Sequence, residues 1–272
     1  MAVAVFLLAG CGAPTIAPEV HLYAFRYGES QYPAKYIFAD GGDELVPFAW
    51  SFWLIQEGDN NYLVDAGIQD EAMVKRWKLH DYVPPSVLLE EFGLPPDAID
   101  ALILTHLHAD HVDGALALPP VKTCLQRREF EAIARAFENA EGKTVSKGYY
   151  RQHYDHLLGL QKAGLLTLFD GDAAVTPQIR VELAPYHTAG TQTVIVETSG
   201  KPFYLAPDNA YVDANVDLLR PIGTAFDRAG DLEYLKKLQR LKAGGNSVIS
   251  GHEPSVYRDA TLLQGRCMEL TP

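Results

Sequence analysis

The amino-acid sequence predicts an α/β (α+β) protein in which two β-sheets pack face to face and helices cover their outer sides. Three observations favour this class: the chain opens with β structure, helix and strand patterns then alternate, and this alternation occurs twice. With 272 residues, 47% of them hydrophobic and 21% charged, the chain can bury a sizeable core. We find no sign of a split, so one domain over residues 19–272 is expected.

Strands and helices follow from the spacing of apolar residues and from the turn residues between them. Strands are expected at residues 20–25, 50–56, 62–65, 101–104, 165–169, 179–183, 193–197, 202–205 and 247–250. Helices are expected in the stretch that follows Pro84 and Pro85 and ends at Phe92, over residues 127–138 and over about residues 227–242. The polar stretch that follows the second helix, through Gln152, is expected to be a lid or an inserted loop.

Residues 1–18 are expected to lie outside this domain, as a lipoprotein signal and tether. An apolar run from Ala2 ends in Leu8-Ala9-Gly10-Cys11, like a bacterial signal whose cysteine is acylated, and it is too short to span a bilayer. No Lys or Arg precedes Cys11, so an ordinary buried N-terminal strand is the alternative. A lipid anchor at Cys11 would imply a periplasmic or membrane-anchored protein, and otherwise a cytoplasmic one is expected.

The charge balance argues against a nucleic-acid ligand. The chain has 23 Lys and Arg against 35 Asp and Glu, a formal net charge of -12, and the resulting field repels polyphosphate. The densest basic group has helical spacing and is interpreted as a solvated helix face. It comprises Lys236, Lys237, Arg240 and Lys242. We therefore expect a small-molecule substrate and no nucleic acid.

The segment from Thr105 to His111 is the most informative in the sequence. Directly after an apolar strand, it places three imidazoles and one carboxylate, namely His106, His108, Asp110 and His111, within six positions. Zinc binds imidazole nitrogen and carboxylate oxygen at about 2.0–2.2 Å, and a loop at a strand end can direct such side chains at two neighbouring metals. The three cysteines are too far apart for a thiolate site. Histidine and carboxylate must therefore hold the metal.

The spacing His106-x-His108-x-Asp110-His111 resembles the signature of the metallo-β-lactamase superfamily. Four further segments match the order of motifs in that family, over roughly residues 20–255. They are Asp65-Ala66-Gly67, His187-Thr188-Ala189-Gly190, Asp208 after Pro207, and His252 after Gly251. The resemblance implies a four-layer αββα sandwich. Ala66, Ala189 and Thr191 depart from the family pattern, but none of these positions is a metal ligand in the family.

The resemblance further implies two Zn²⁺ ions per chain. One would be held by His106, His108 and His187, the other by Asp110, His111 and His252, and Asp208 would bridge both. A shared carboxylate and a shared hydroxide allow two dications about 3.5–4 Å apart to bind together.

Three other groups of polar and aromatic residues can be interpreted in more than one way. Asp65 either orients a loop or a ligand imidazole, or is a turn residue. The pair His153 and His156 is expected to be solvated at the surface rather than to bind metal. Five aromatic residues either line an apolar acyl groove or belong to the core. They are Trp50, Trp53, Tyr149, Tyr150 and Tyr186.

Within the superfamily, the sequence most resembles the N-acyl homoserine lactone lactonases, which are quorum-quenching enzymes. The hairpin from Phe52 to Asp65, the first strand from Val20, and Tyr211 three positions after Asp208 carry this resemblance. It implies that a metal-bridging hydroxide opens a lactone ring, with Tyr211 at the carbonyl and Asp110 as the proton carrier. The alternative for Tyr211 is a buried aromatic residue. A homodimer is an open alternative to a monomer.

Other functions are compatible with the same ligands. The metals could serve hydrolysis of a glyoxalase II-type thioester, an aryl ester, an organophosphate or a β-lactam. Asp208 argues against true β-lactamases, which usually lack it, and no basic cluster suits the glutathione carboxylate. A di-iron centre for oxygen or nitric oxide is disfavoured because no flavodoxin-length segment is present. An inactive binding protein is disfavoured because all seven ligands are retained.

Overall fold

The computed structural model describes residues 18–138 and 148–271. The expected signal and tether, apart from Pro18, lie outside these residues, and so does most of the polar stretch expected to be a lid or an inserted loop. The strands are β1 Val20–Pro33, β2 Leu45–Glu57, β3 Asn60–Val64, β4 Ala101–Ile103, β5 Lys122–Gln126, β6 Leu166–Phe169, β7 Ala173–Ala174, β8 Ile179–Leu183, β9 Gln192–Val196, β10 Phe203–Leu205, β11 Ser247–Ile249 and β12 Cys267–Leu270. The helices are α1 Ala34–Ile37, α2 Glu71–Arg76, α3 Pro85–Phe92, α4 Ala109–Val112, α5 Arg127–Glu138, α6 Arg151–Lys162, α7 Asp213–Asp217 and α8 Arg228–Ala243. No helix in this part of the chain has the length and apolarity needed to cross a membrane.

The strands form two sheets. The first has the order β12-β1-β2-β3-β4-β5-β6 and the second the order β11-β10-β9-β8-β7. Strands β3 to β6 run parallel, whereas β12, β1, β2 and β3 are antiparallel neighbours. The carboxyl ends of the parallel strands therefore meet at one edge of the first sheet, which is where loops can converge.

Successive side chains of the first sheet face opposite sides and bury both of its faces. Leu54 packs on the helical side with Leu88 of α3, whereas its neighbour Trp53 faces the second sheet. On the outer side of the second sheet, Leu235 of α8 packs against Val248 of β11. The layers therefore run helix, sheet, sheet, helix, and the predicted αββα sandwich is confirmed.

Most differences from the expected elements concern long-range pairing. Strand β1 continues to Pro33 because β2 pairs with it along its length, from Val20 with Glu57 to Pro33 with Leu45. Strands β5, β7 and β12 and helices α1, α2, α4, α6 and α7 were not predicted. Strand β12 completes the edge of the first sheet by pairing with β1 from residue 267 to residue 270.

Candidate metal centre

Four loops bring the seven expected ligands to one edge of the sandwich. The loop after β4 carries the segment from His106 to His111, and the loops after β8, β10 and β11 carry His187, Asp208 and His252. Each loop leaves the carboxyl end of a strand, so the rigid sheets fix where these side chains meet. Side chains separated by up to almost 150 positions in the sequence become neighbours.

The potential ligand atoms form two groups, and within each group they lie within 4.8 Å of one another. The groups share Asp208 and otherwise divide as the family resemblance implied. The first contains His106, His108 and His187 with Asp208, and the second contains Asp110, His111 and His252 with Asp208.

Asp208 lies between the two groups and directs one carboxylate oxygen at each. Its Oδ2 is 3.2 Å from His187 Nε2 and 3.6 Å from His106 Nε2. Its Oδ1 is 3.0 Å from His111 Nε2 and 3.1 Å from His252 Nε2. This is the arrangement required of a carboxylate that bridges two cations.

Contacts behind the imidazole rings fix the direction of the ring nitrogens. His111 Nδ1 is 2.7 Å from Asp65 Oδ2, and His252 Nδ1 is 2.9 Å from the Ala49 carbonyl oxygen. A histidine that is held through one nitrogen presents the other to a metal, and such partners also fix the tautomer. Both rings therefore present Nε2 to the centre.

Asp65 orients both a ligand and a ligand-bearing loop. Besides His111, its carboxylate accepts hydrogen bonds from the backbone N–H and the hydroxyl of Thr105, at 2.8 and 2.7 Å. Asp65 also adopts a φ of 57°, in the left-handed region that few non-glycine residues occupy. The contacts favour the interpretation of Asp65 as an orienting carboxylate over that of a simple turn residue.

The buried nitrogens of the site show that these residues fit a cation. Among the described residues, His106 Nε2 and His111 Nε2 are buried without a hydrogen-bond partner, although Asp208 Oδ1 is near the latter. Leaving a buried polar atom unpaired costs about 1–3 kcal/mol. A metal ion would satisfy both atoms, and a set of imidazole nitrogens and carboxylate oxygens is the set that zinc accepts.

Burial and the neighbouring carboxylates set the charges of the ligands. Burial lowers the pKa of His106 well below its usual value and that of His187 to about 3, so both rings are neutral and keep a lone pair. Burial also opposes the charged form of His111, but the carboxylates around it raise its pKa well above the usual range. A metal ion that binds His111 must therefore displace a proton.

Three aromatic residues, Tyr32, Phe48 and Trp50, form a wall beside His252, which we call the aromatic wall. The Phe48 ring stacks on the His252 ring with centroids 4.1 Å apart, and Trp50 meets it edge-on at 5.5 Å. Tyr32 stacks on Phe48 at 4.8 Å. One side of the centre is therefore apolar.

The aromatic residues named from sequence divide between the site and the core. Trp50 lies at the site in the aromatic wall, and the Tyr149 ring lies 5.4 Å from that of His108. Tyr150 accepts a hydrogen bond from Arg76 at 2.9 Å. Trp53 lies in the core between the sheets, and Tyr186 packs against Tyr234. The acyl-groove interpretation is therefore compatible with Trp50 and Tyr149, which lie beside ligand histidines, and not with Trp53 or Tyr186.

Tyr211 lies beside both ligand groups. Its ring centroid is 5.7 Å from that of His187 and 5.6 Å from that of His252. Its hydroxyl is 2.7 Å from Thr224 Oγ1, which is also 3.4 Å from His187 Nδ1. Burial and the Asp208 carboxylate raise the pKa of Tyr211 well above its usual value, so the hydroxyl stays protonated and can donate.

Thr191, one of the departures from the family pattern, has a structural role in the loop that carries His187. Its Oγ1 accepts a hydrogen bond from the Thr188 backbone N–H at 2.8 Å and is 2.6 Å from the Thr188 hydroxyl. Threonine at this position therefore stabilises the loop locally and does not reach the ligand groups.

The expectation that His153 is solvated was wrong. Helix α6 turns this residue inward, where it is 0% exposed and its Nε2 lies 2.9 Å from Asp113 Oδ1. Asp113 follows the ligand segment by two residues, and its Oδ2 accepts hydrogen bonds from the backbone N–H groups of Gln69 and Asp70 at 2.8 Å each. A buried carboxylate partner therefore makes burial of this histidine favourable.

Sequence reasoning also missed Glu129 and Thr224. Glu129 lies in the first turn of α5, is 0% exposed and contacts two of the ligand-bearing loops. It precedes the buried Ile133 by four residues, and that helical spacing is a signal that could have revealed it. Thr224 lies in a loop, where no periodic pattern identifies it.

A four-layer sandwich with two adjoining histidine and carboxylate groups at one sheet edge is the architecture of a metallo-hydrolase. The sequence profile of the Metallo-beta-lactamase superfamily matches residues 45–252, so this chain belongs to that superfamily. The prediction from the motifs is thereby confirmed, and the chain is a metallo-hydrolase of this class.

Similar proteins include N-acyl homoserine lactonases, the enzymes that the sequence resembles. An N-acyl homoserine lactonase from a Bacillus species is 23% identical over 243 residues, which cover 84% of this chain and 88% of the relative. N-acyl homoserine lactonase AiiA from Bacillus thuringiensis subsp. kurstaki is 24% identical over 74% of this chain and 80% of its own. The crystal structure of a quorum-quenching N-acyl homoserine lactone lactonase superposes with a TM-score of 0.75 and 21% identity, covering 91% of this chain and 98% of the other. This similarity shows a shared fold.

Proposed function

We propose that this chain opens the ring of N-acyl homoserine lactones, using two Zn²⁺ ions held by the seven residues of the candidate metal centre. The observation that carries the proposal is the position of Tyr211, a protonated hydroxyl donor beside a centre whose ligand groups share Asp208. The names of the curated relatives support the same substrate class.

The ions would lower the pKa of water from about 15.7 toward about 7 and so make it a nucleophile near neutral pH. The residues of the chain have three tasks around that step. Tyr211 donates a hydrogen bond to the lactone carbonyl oxygen, where negative charge develops. Asp110, whose side chain is 13% exposed against 4% for Asp208, takes a proton and returns it to the departing alkoxide. Tyr32 of the aromatic wall, which is only partly buried, offers an apolar surface to the acyl chain.

A panel of substrates tests the proposal. The metal-loaded protein is expected to hydrolyse N-acyl homoserine lactones with a higher kcat/KM than a thioester, a phosphotriester, an aryl ester or a β-lactam. A chelator should abolish lactone opening, and added zinc, cobalt or manganese should restore it. Preference for the thioester or the phosphotriester would favour the alternative ester classes. Full activity in the metal-free protein would contradict metal-dependent hydrolysis altogether.

Tyr211→Phe is expected to lower kcat by about 10²-fold, the effect of removing one donor to a developing oxyanion, while the metal content stays unchanged. Thr224→Val is the comparison variant, because it keeps the Tyr211 hydroxyl and removes the neighbouring hydroxyl that contacts both Tyr211 and His187 Nδ1. We expect it to lower kcat by a smaller factor. Steady-state kinetics and elemental analysis of the same samples measure both effects. Loss of metal from Tyr211→Phe would mean that Tyr211 supports the metal ligands rather than contacts the substrate.

A further inference from the structure

Glu129 is a buried carboxylate, and the hydrogen bonds that it accepts from the described residues all come from the surroundings of the metal centre. It lies in the first turn of α5, is 0% exposed, and belongs to none of the ion pairs formed within residues 18–138 and 148–271. A buried charge without a cationic partner is costly unless hydrogen bonds satisfy it. The position of this carboxylate is therefore set by its donors.

Four donors surround the carboxylate, two at each oxygen. Oε1 accepts from the Leu107 backbone N–H at 3.1 Å and from the Tyr149 hydroxyl at 2.9 Å. Oε2 accepts from the Thr188 hydroxyl at 2.7 Å and from the Gly190 backbone N–H at 2.9 Å. Every contact is one in which a carboxylate accepts, and hydrogen bonds to an ionised acceptor are stronger than those between neutral groups.

The location of these donors relates Glu129 to one of the two ligand groups. Leu107 separates His106 from His108, and Thr188 follows His187 directly. The Tyr149 ring lies against the His108 ring. One carboxylate thus holds together the two loops that carry all three histidines of the first group. The histidines of the second group have other supports, namely Asp65 for His111 and the Ala49 carbonyl for His252.

We propose that Glu129 is a positioning residue for the metal held by His106, His108 and His187, acting by fixing the loop after β4 against the loop after β8. The inference rests on the proposed metal-binding function of the centre. It assigns to Glu129 a role that is graded between the two metals. The first metal depends on Glu129 through both loops, whereas the second depends on it only through Asp208 and the loop after β4, where Asp65 also holds His111.

The chemistry of the four contacts explains why an amide could not replace the carboxylate. Each oxygen accepts from one backbone N–H, and a backbone N–H cannot reverse to become an acceptor. A glutamine has one oxygen and one NH₂ group, so in either orientation its NH₂ faces the N–H of Leu107 or that of Gly190. Glu129→Gln therefore loses a hydrogen bond to one of the two loops, although it is nearly the same size.

The test is a titration of the metal-free protein with Zn²⁺ in competition with a chromophoric chelator, which gives two dissociation constants. Glu129→Gln is expected to weaken binding of one ion by about 10–100-fold, the usual effect of losing a group that supports a ligand, and that of the other ion by a clearly smaller factor. With Co²⁺ as the probe, the absorption bands of the weakened site should shift. The imidazole N–H resonances of His111 and His252 should stay in place while that of His187 moves.

Two further variants keep the result interpretable. Ile55→Val, in the core between the sheets, lowers stability without touching either loop and should leave both dissociation constants unchanged. Tyr149→Phe removes one donor and should weaken the same ion by a smaller factor than Glu129→Gln; it also provides the measurement if Glu129→Gln does not fold.

Three outcomes would overturn the role of Glu129. The first is unchanged affinity for both ions in Glu129→Gln. The second is an equal loss of affinity for both ions in Glu129→Gln that matches its loss of stability. The third applies if Glu129→Gln does not fold, and is unchanged affinity for both ions in Tyr149→Phe. Failure of the wild-type protein to bind two ions would instead overturn the proposed function, and this role with it.

Discussion

Asp208→Ala is expected to abolish the binding of both metal ions and to reduce lactone hydrolysis by more than the roughly 10²–10³-fold that the loss of a single transition-state contact costs. The reason is the position of its carboxylate. Oδ2 lies near the Nε2 atoms of His187 and His106, and Oδ1 lies near those of His111 and His252. Without this shared negative charge, two dications about 3.5–4 Å apart would repel each other. Elemental analysis after dialysis measures the metal content of the variant.

A buried carboxylate elsewhere in the fold provides the control for Asp208→Ala. Asp231 in α8 is 0% exposed and accepts a hydrogen bond from the Ile222 backbone N–H. Burial raises the pKa of Asp231 to about 7, so a neutral amide should be tolerated there. Asp231→Asn should retain two metal ions. Retention of one or both ions by Asp208→Ala would show that Asp208 does not bridge them.

Removal of the metal ions is expected to lower the thermal stability strongly. A ligand at about 1,000 times its dissociation constant stabilises the folded state by about 4.1 kcal/mol, and none of the seven ligands is preorganised in the unfolded chain. For a domain of this size, each kcal/mol shifts Tm by about 2–4 °C, so we expect a fall of roughly 8–16 °C for each site emptied at that ratio. Differential scanning calorimetry with and without a chelator measures it.

The Asp208→Ala variant also controls the calorimetric experiment. Because this variant should bind neither ion, the chelator should leave its Tm unchanged. If the chelator lowered the Tm of the variant as much as that of the wild type, the stabilising ions would lie elsewhere. If it left the wild-type Tm unchanged, the ions would contribute nothing to the folded state.

The sequence predicted the fold and the candidate ligands because both depend on local patterns. Apolar strands end shortly before the ligands, and the density of histidine between His106 and His111 has few structural explanations. Trp53 and Leu54 face opposite sides of their strand, as the two-residue period of a buried strand requires. The order of the motifs supplied the rest, because it matched a known family over most of the chain.

Apart from Asp65, the side chains that support the ligands could not be assigned from the sequence, because their partners are distant along the chain. Glu129 is 59 and 61 positions from Thr188 and Gly190, and Asp113 is 40 positions from His153. Thr224 contacts Tyr211 and His187, which are 13 and 37 positions away. Local periodicity indicates which side of a helix is buried, but the partner of a buried polar group is known only once the layers are packed.

Anomalous diffraction from crystals of the zinc-loaded protein, recorded on both sides of the zinc absorption edge, tests the central claim most directly. We expect two peaks per chain, about 3.5–4 Å apart, with Asp208 between them. His106, His108 and His187 should surround one peak, and Asp110, His111 and His252 the other. A single peak, or two peaks away from these side chains, would contradict the two-metal centre on which the proposed function depends.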